Sequence, residues 1–428
     1  MDKDNPSPAR RTRIVGQVQE HPSAHHIGRT EKRHVGTLSP LRQAIFLISL
    51  PFGILDFVLP VYGQRIGADA IQIGLFFSAF FLMTVLLRPV VGAGLDRYGR
   101  RPFFLAGLVA YAATMFAFAF SNQVWGIMVA RTVQGVASAF LWLAARAITA
   151  DVAQAEDRAR SFGRVDQFAT RGGILGTFIG FGVLFPLGIE DGWRPLFLGY
   201  GAVSLLATLL ALRRLPETNP HARHAERRPI VWSRPWVLLL LVTAVTGASW
   251  AMVSPILMIF LQEKLAVGVD DLALAFLPSA LVWALLPARL GKLADRFGRK
   301  PLMVLGMAAA AGTSFLIPGL TSLVGLAALW ALQALCYAAG DPAEQALVAD
   351  LTGGDQRGRA FGLYTLAAGL GATVGPLVGG WLYEAVGPQA PFFGNGLVLA
   401  VCTVVLAALL QVPARRTPES GEGYAERV

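Results

Sequence analysis

Twelve apolar runs, each close to the ~20 residues a helix needs to cross a bilayer, alternate with polar segments along the 428 residues of this chain. They cover 41–63, 71–94, 103–121, 124–149, 163–186, 195–213, 235–262, 270–290, 302–320, 322–349, 361–384 and 391–412. Lipid offers the backbone no hydrogen-bond partner, so runs of this kind are predicted to be helices, and the chain an all-α membrane protein. The polar segments divide it. Residues 1–38 are rich in Arg, His, Pro and Ser without hydrophobic periodicity and read as a disordered arm. Helices are expected over 39–214, a proline-broken linker over 215–234, helices again over 235–412, and a polar tail over 413–428. The first apolar run begins near Leu41, with no small-residue cleavage site after a short apolar core, so a cleaved signal peptide is not expected.

A short polar signature occurs twice, as Gly92-Ala-Gly-Leu-Asp96-Arg97-Tyr-Gly99-Arg100-Arg101-Pro102 and Gly291-Lys-Leu-Ala-Asp295-Arg296-Phe-Gly298-Arg299-Lys300-Pro301, 199 residues apart. The same offset pairs Gln134 with Gln333, Asp151 with Asp350, Gly176 with Gly375 and Gly180 with Gly379, so the duplication extends over whole halves. Both copies run in the same orientation, as in transporters whose halves are related by an axis along the membrane normal.

Composition and charge sharpen this picture. With 54% hydrophobic and 15% charged residues, an ordinary soluble domain is excluded. Placing the N-terminus in the cytoplasm leaves only Arg65, Arg194 and Lys264 outside and Arg88, Arg131, Arg146 and Arg171 deeper within spans; every other Lys and Arg falls in a cytoplasmic segment or at the cytoplasmic end of a span. Both termini are therefore expected to be cytoplasmic, and the net charge of +10 is a topology signal. No nucleic-acid-binding motif surrounds the basic runs. The two cysteines, Cys336 and Cys402, lie within spans and form neither a disulfide framework nor a metal spacing. A phosphate-cradling loop, a nucleophile elbow and a His/Glu metal set are all absent, so a nucleotide-driven pump or an intramembrane enzyme finds no support.

On the paired Asp-Arg-x-Gly-Arg-Arg/Lys loops, between runs two and three and between runs eight and nine, the chain resembles the major facilitator superfamily from residue 40 to 412. The resemblance implies two six-helix bundles around a central cavity, exchanging inward- and outward-open states by rocking. It implies a monomer in the plasma membrane, acting on a small molecule with no cofactor beyond a proton gradient. The loops then read as a latch. Gly92 and Gly291 would let helices approach closely, and Asp96 and Asp295 would accept from helix N-terminal amides. Arg100 and Arg299 would reach Asp151 and Asp350, with Arg97, Gly99, Arg296 and Gly298 completing the two loops. In related transporters such a network stabilises the state closed to the cytoplasm.

Two further stretches narrow the resemblance. Arg131-Thr-Val-Gln134-Gly135 is similar to the span-four signature of proton-coupled members, and Asp56-Phe-Val-Leu-Pro60 to the span-one acidic motif of the twelve-span drug:proton antiporters. Span five departs from that group, with Thr177 where proline belongs, whereas the full form, Gly375-Pro376 included, stands in span eleven. Leu215-Pro216-Glu217-Thr218 resembles other members without discriminating among them.

The duplication also acts as a filter, because intramembrane charges without a repeat equivalent are the candidates for substrate and ion chemistry. Asp56 stands opposite Pro255, Arg131 opposite Trp330, Arg146 opposite Gln345, Asp166 opposite Thr365, Arg171 opposite Leu370, Asp341 opposite Trp142 and Glu344 opposite Ala145. Asp56 and Arg131 share a level about 10 Å below the outer boundary and are expected to form a charge pair or a shared proton and substrate site. Arg146 and Asp166 are expected to approach each other near the inner end, and Arg171 and Asp341 to link the halves. All six histidines lie outside the spans, so proton coupling falls to carboxylates: Asp56 first, Asp341 second, with Arg131 as the tuning cation.

The expected substrate cavity comprises Asp56, Gln134, Trp250, Gln333 and Tyr337. Trp142, Trp283 and Trp330 are expected to pack toward lipid, and Trp125, Trp193, Trp232, Trp236 and Trp381 to form aromatic belts. The expectation is proton-driven export of small, lipophilic or cationic molecules. The alternatives are a proton symporter importing a sugar or organic acid, and a non-transporting sensor that keeps the fold.

Overall fold

Lipid-facing leucines and valines and small residues at helix crossings account for most of the architecture. The computed structural model describes residues 38–153, 158–218, 232–286, 299–352 and 357–410. Among these, all regular structure is helical: α1 Leu38–Arg65, α2 Ala70–Leu86, α3 Arg88–Tyr98, α4 Arg101–Phe120, α5 Val124–Val152, α6 Arg158–Arg214, α7 Arg234–Leu265, α8 Val269–Leu285, α9 Arg299–Leu316, α10 Leu323–Thr352, α11 Arg357–Ala385 and α12 Ala390–Leu409. The arm, most of the linker, the tail and the second signature loop (Gly291, Asp295, Arg296, Gly298) lie outside the described residues, as do the side chains of Arg299, Asp341 and Asp350.

Eight of these helices are long and apolar enough to cross a membrane, or nine when the bent α2–α3 pair is taken as one span. Four local features separate this from the twelve expected runs, one being that run eight is a helix of only 17 residues, α8. Run two breaks at Leu87, where α2 and α3 meet at 42° with Pro89 in the first turn of α3, a residue that cannot continue the hydrogen-bond ladder. Runs five and six join into the 57-residue α6, whose backbone leaves helical geometry at Gly188 (φ 77°). In α10 the apolar stretch is confined to Leu323–Ala338.

Helix pairing follows one pattern in both parts of the chain. α4 packs on α5 as α9 packs on α10; α2 packs on α5 as α8 on α10; α1 packs on α6 as α7 on α11; and α4 packs on α6 as α9 on α12. Without a hydrophobic drive between helices in lipid, close backbone approach supplies the packing. A Cβ at Gly176 would lie 1.8 Å from the Leu50 carbonyl oxygen of α1, and one at its repeat equivalent Gly375 would lie 2.2 Å from the Ala248 carbonyl oxygen of α7.

The two ends of the bundle differ. At the end that carries the helix α1–α2 and α7–α8 turns, here the far face, Gln64 Nε2 donates to Glu263 Oε1 (2.8 Å), Tyr383 OH to Glu263 Oε2 (2.9 Å) and Ala70 N to Glu384 Oε1 (3.1 Å). One buried cluster runs from the first half through far-face residues of the second, including Ile259, Leu272 and Leu326. At the opposite, near face the second half keeps a separate cluster around Trp236, Met303, Leu347 and Leu406. There Arg88 Nη1 to Thr365 Oγ1 (3.3 Å) bridges the parts. Among the described residues, side-chain hydrogen bonds and a shared core thus join the two parts at the far face.

Candidate functional site

A cavity of about 360 Å³ lies between the two parts of the chain. From α1 it takes Asp56 and Phe57; the rest of its wall comes from α7 (Trp250, Ser254, Leu257, Met258), α8 (Phe276, Ser279, Trp283) and α10 (Trp330, Gln333, Ala334, Tyr337). The spacings are those of one helix face, three, four and seven residues apart, which is why the sequence places these side chains on a common wall. Among the described residues, Asp56 is the one charged group on that wall. Its carboxylate has no hydrogen bond or ion pair among the described residues, and its side chain is exposed to the cavity.

Aromatic rings close the far side of the cavity. The Phe57 and Phe276 centroids are 4.7 Å apart at 66°, Phe276 meets Trp330 at 5.8 Å and 83°, and Phe57 also contacts Phe181 of α6 at 5.9 Å. Phe57, Phe276 and Trp330 lie seven or eight residues from the far ends of their helices, roughly two turns in. Trp283 and Tyr337 are seven residues deeper than Phe276 and Trp330 along the same helices. A wall of one described carboxylate and edge-to-face rings favours a flat, apolar ligand bearing positive charge, through Coulomb attraction and cation–π contact.

Of the expected cavity residues, Asp56, Trp250, Gln333 and Tyr337 meet on this wall, and Gln134 does not. Gln134 is 2% exposed and its Oε1 accepts from Arg131 Nη1 at 2.7 Å. The expected direct Asp56–Arg131 pair is not formed either. Arg131, 3% exposed, donates to the Phe76 carbonyl (3.3 Å) and sits over the Phe77 and Phe80 rings at 4.6 and 4.7 Å, so its guanidinium is turned toward α2.

Arg146 and Asp166 form no ion pair, and both side chains are exposed. Arg171 is exposed, and its expected partner Asp341 lies outside the described side chains. Glu344 accepts from Tyr364 OH (2.9 Å) and Thr243 Oγ1 (3.4 Å), tying α10 to α11 and α7. The tryptophans divide differently from expectation. Trp283 and Trp330 join Trp250 on the cavity, while Trp142 packs on Phe52. Trp193 and Trp236 are buried rather than belt residues; Trp193 stacks on Tyr62 at 3.7 Å and donates to the Phe118 carbonyl.

The first signature loop forms a compact cluster at the near face. Arg100 Nε meets Asp151 Oδ2 at 3.2 Å and Arg100 Nη1 meets Asp96 Oδ1 at 3.1 Å, as expected for Arg100 and Asp151. Two roles move. Asp96 does not cap the α4 amides; Glu217 does, accepting from Arg100 N (2.9 Å) and Arg101 N (3.0 Å), and Thr218 Oγ1 donates to Asp151 (3.1 Å). The close approach assigned to Gly92 belongs to Gly94, because a Cβ at Gly92 meets only Leu143 at 3.9 Å, whereas one at Gly94 would meet the Phe103 ring at 2.3 Å. Gly99, at φ 93°, makes the turn over which the Glu217 carboxylate folds. Arg97 lies over Tyr98 at 5.2 Å, on the exposed side.

A family model described as Major Facilitator Superfamily matches residues 44–287 and 239–426. The chain belongs to the Major Facilitator Superfamily. Within that superfamily it is 23% identical over 391 residues to Multidrug resistance protein 1 of Bacillus subtilis, covering 90% of this chain and 98% of the relative. It is 24% identical to the Quinolone resistance protein NorA of Staphylococcus aureus, covering 85% and 94%. Among solved structures, the nucleoside transporter NupG aligns with a TM-score of 0.71 at 16% identity, over 87% of this chain and 98% of that one. A bacterial homolog of the human lysosomal transporter Spinster, in an inward-facing and occupied conformation, aligns at 0.69 and 16%, over 86% and 94%. This major facilitator chain is therefore a multi-pass membrane transporter by family.

Proposed function

We propose that the protein exports small lipophilic, cationic organic molecules in exchange for protons, by alternating access in the plasma membrane. The observation that carries this reading is the cavity wall, which one carboxylate, Asp56, shares with Trp, Phe and Tyr rings, with no competing cation among the described residues. The multidrug and quinolone resistance relatives support the same substrate class. In this reading the helices make twelve spans in two six-helix bundles, the protein works as a monomer, and both termini and the Arg100–Asp151–Glu217 cluster are cytoplasmic. The far-face junction then describes a state closed to the outside. Asp56 alternates between holding a proton and holding the ligand's charge, and Arg131 tunes that exchange from behind the cavity; Asp341 is the second carrier.

The test is a pH-jump liposome assay with purified wild type and Asp56→Asn, recording proton flux as a lipophilic cation is added. Opposed movement of cation and protons, abolished in Asp56→Asn, is the expected result. Full proton-driven transport by Asp56→Asn overturns Asp56 as carrier, and parallel movement of protons with a sugar or organic acid overturns export in favour of import.

A further inference from the structure

The two halves put one pair of positions to opposite uses. On α5, Arg131 and Gln134 stand one turn apart, buried and bonded to each other at 2.7 Å, away from the cavity. Their equivalents 199 residues on are Trp330 and Gln333, one turn apart on α10, and both are on the cavity wall. Replacing the guanidinium by an indole removes the partner that occupies the amide in the first half. No hydrogen bond of the Gln333 side chain is present among the described residues. The indole itself is held edge-on by Phe276, which in turn meets Phe57, the neighbour of Asp56. Carboxylate, rings and free amide thus follow one another along the wall.

We infer that Gln333 is a specificity-determining residue that donates a hydrogen bond to a carbonyl on ligands whose cationic end meets Asp56, with an aromatic spacer lying against Trp330. The inference rests on the export reading above and refines its substrate class to aromatic cations that carry an acceptor. A ligand that fills the cavity strips water from the amide, and an amide left without a partner penalises binding. A ligand carbonyl removes that penalty. Ser279, the nearest hydroxyl on α8, is already engaged, donating to the Phe276 carbonyl at 2.7 Å.

Two nearly isosteric probes isolate the carbonyl: (4-benzoylbenzyl)trimethylammonium and (4-benzylbenzyl)trimethylammonium, which differ by C=O against CH2. Equilibrium binding to full-length protein in nanodiscs is measured for wild type, Gln333→Leu, Tyr337→Phe and Ser254→Ala. Wild type is expected to prefer the ketone by about tenfold, and Gln333→Leu to lose that preference by weakening the ketone alone. Retained binding of the hydrocarbon probe by Gln333→Leu also reports that the variant is folded. Equal weakening of both probes, an unchanged preference, or loss of preference in Tyr337→Phe or Ser254→Ala instead overturns the assignment. Failure of wild type to bind either cation overturns the export reading, a result distinguishable from failure of the Gln333 assignment.

Discussion

Glu217→Ala tests the near-face cluster where its geometry is most specific. The carboxylate accepts from the amides of Arg100, the residue flanking α4, and of Arg101, its first residue, at 2.9 and 3.0 Å, and both are N-terminal groups with no intrahelical partner. Hydrogen bonds to a charged acceptor are worth about 1.5–3 kcal/mol each. Loss of a helix cap costs about 0.5–2 kcal/mol. Glu217 is half-buried, so water replaces part of what is lost, and a total near 2 kcal/mol is expected. At about 1–2 °C per kcal/mol for a chain of this length, this lowers the apparent unfolding midpoint by ~2–4 °C. Glu217→Gln keeps one acceptor oxygen for one of the two amides and should fall between alanine and wild type. The assay is thermal unfolding of detergent-solubilised protein followed by intrinsic fluorescence, with turnover in liposomes measured in parallel. Because Thr218 and Arg100 share Asp151, turnover should fall with stability. A wild-type midpoint and wild-type turnover in Glu217→Ala would refute the cap.

Two other outcomes follow from the far face and the helix crossings. Glu263→Ala removes the acceptor of both Gln64 and Tyr383, so spin labels at Ile66→Cys and Val267→Cys, in a Cys336→Ser, Cys402→Ser background, should show a longer far-face distance population than with Glu263 present; identical distributions would show that the junction does not depend on it. Gly176→Ala places a Cβ 1.8 Å from the Leu50 carbonyl oxygen, so α1 must separate from α6, and folded yield on size-exclusion chromatography should drop sharply, whereas Gly182→Ala, with nothing within 4 Å, should not change it.

How much was legible in the sequence differed by kind of residue. Asp56 stood out because its repeat equivalent is Pro255, and a lone carboxylate in an apolar run has few structural reasons to be there. Gln134 misled for the complementary reason: its match with Gln333 suggested one role for both, but the residue one turn earlier decides, an arginine that occupies the amide in one half and a tryptophan that leaves it open in the other. Stepping by three and four from Gln333 and Tyr337 along α10 would have brought Trp330 to the wall. Glu217 carried no such signal; its role depends on the left-handed turn at Gly99 bringing a helix start under the end of α6, a contact 116 residues long in sequence. The bend at Leu87 was announced by Pro89, yet hydropathy alone reads through it.

Among the described residues the cavity wall is lopsided, with two residues from α1 and all the others from α7, α8 and α10. Under the proposed cycle this separates the inheritance of two traits. Substitutions that alter which compounds are recognised can accumulate on the second half while the charge on α1 and the Arg100–Asp151–Glu217 cluster stay intact. Under the proposed cycle a lineage can therefore shift which compounds it carries by drift at a handful of wall positions without rebuilding its energy source.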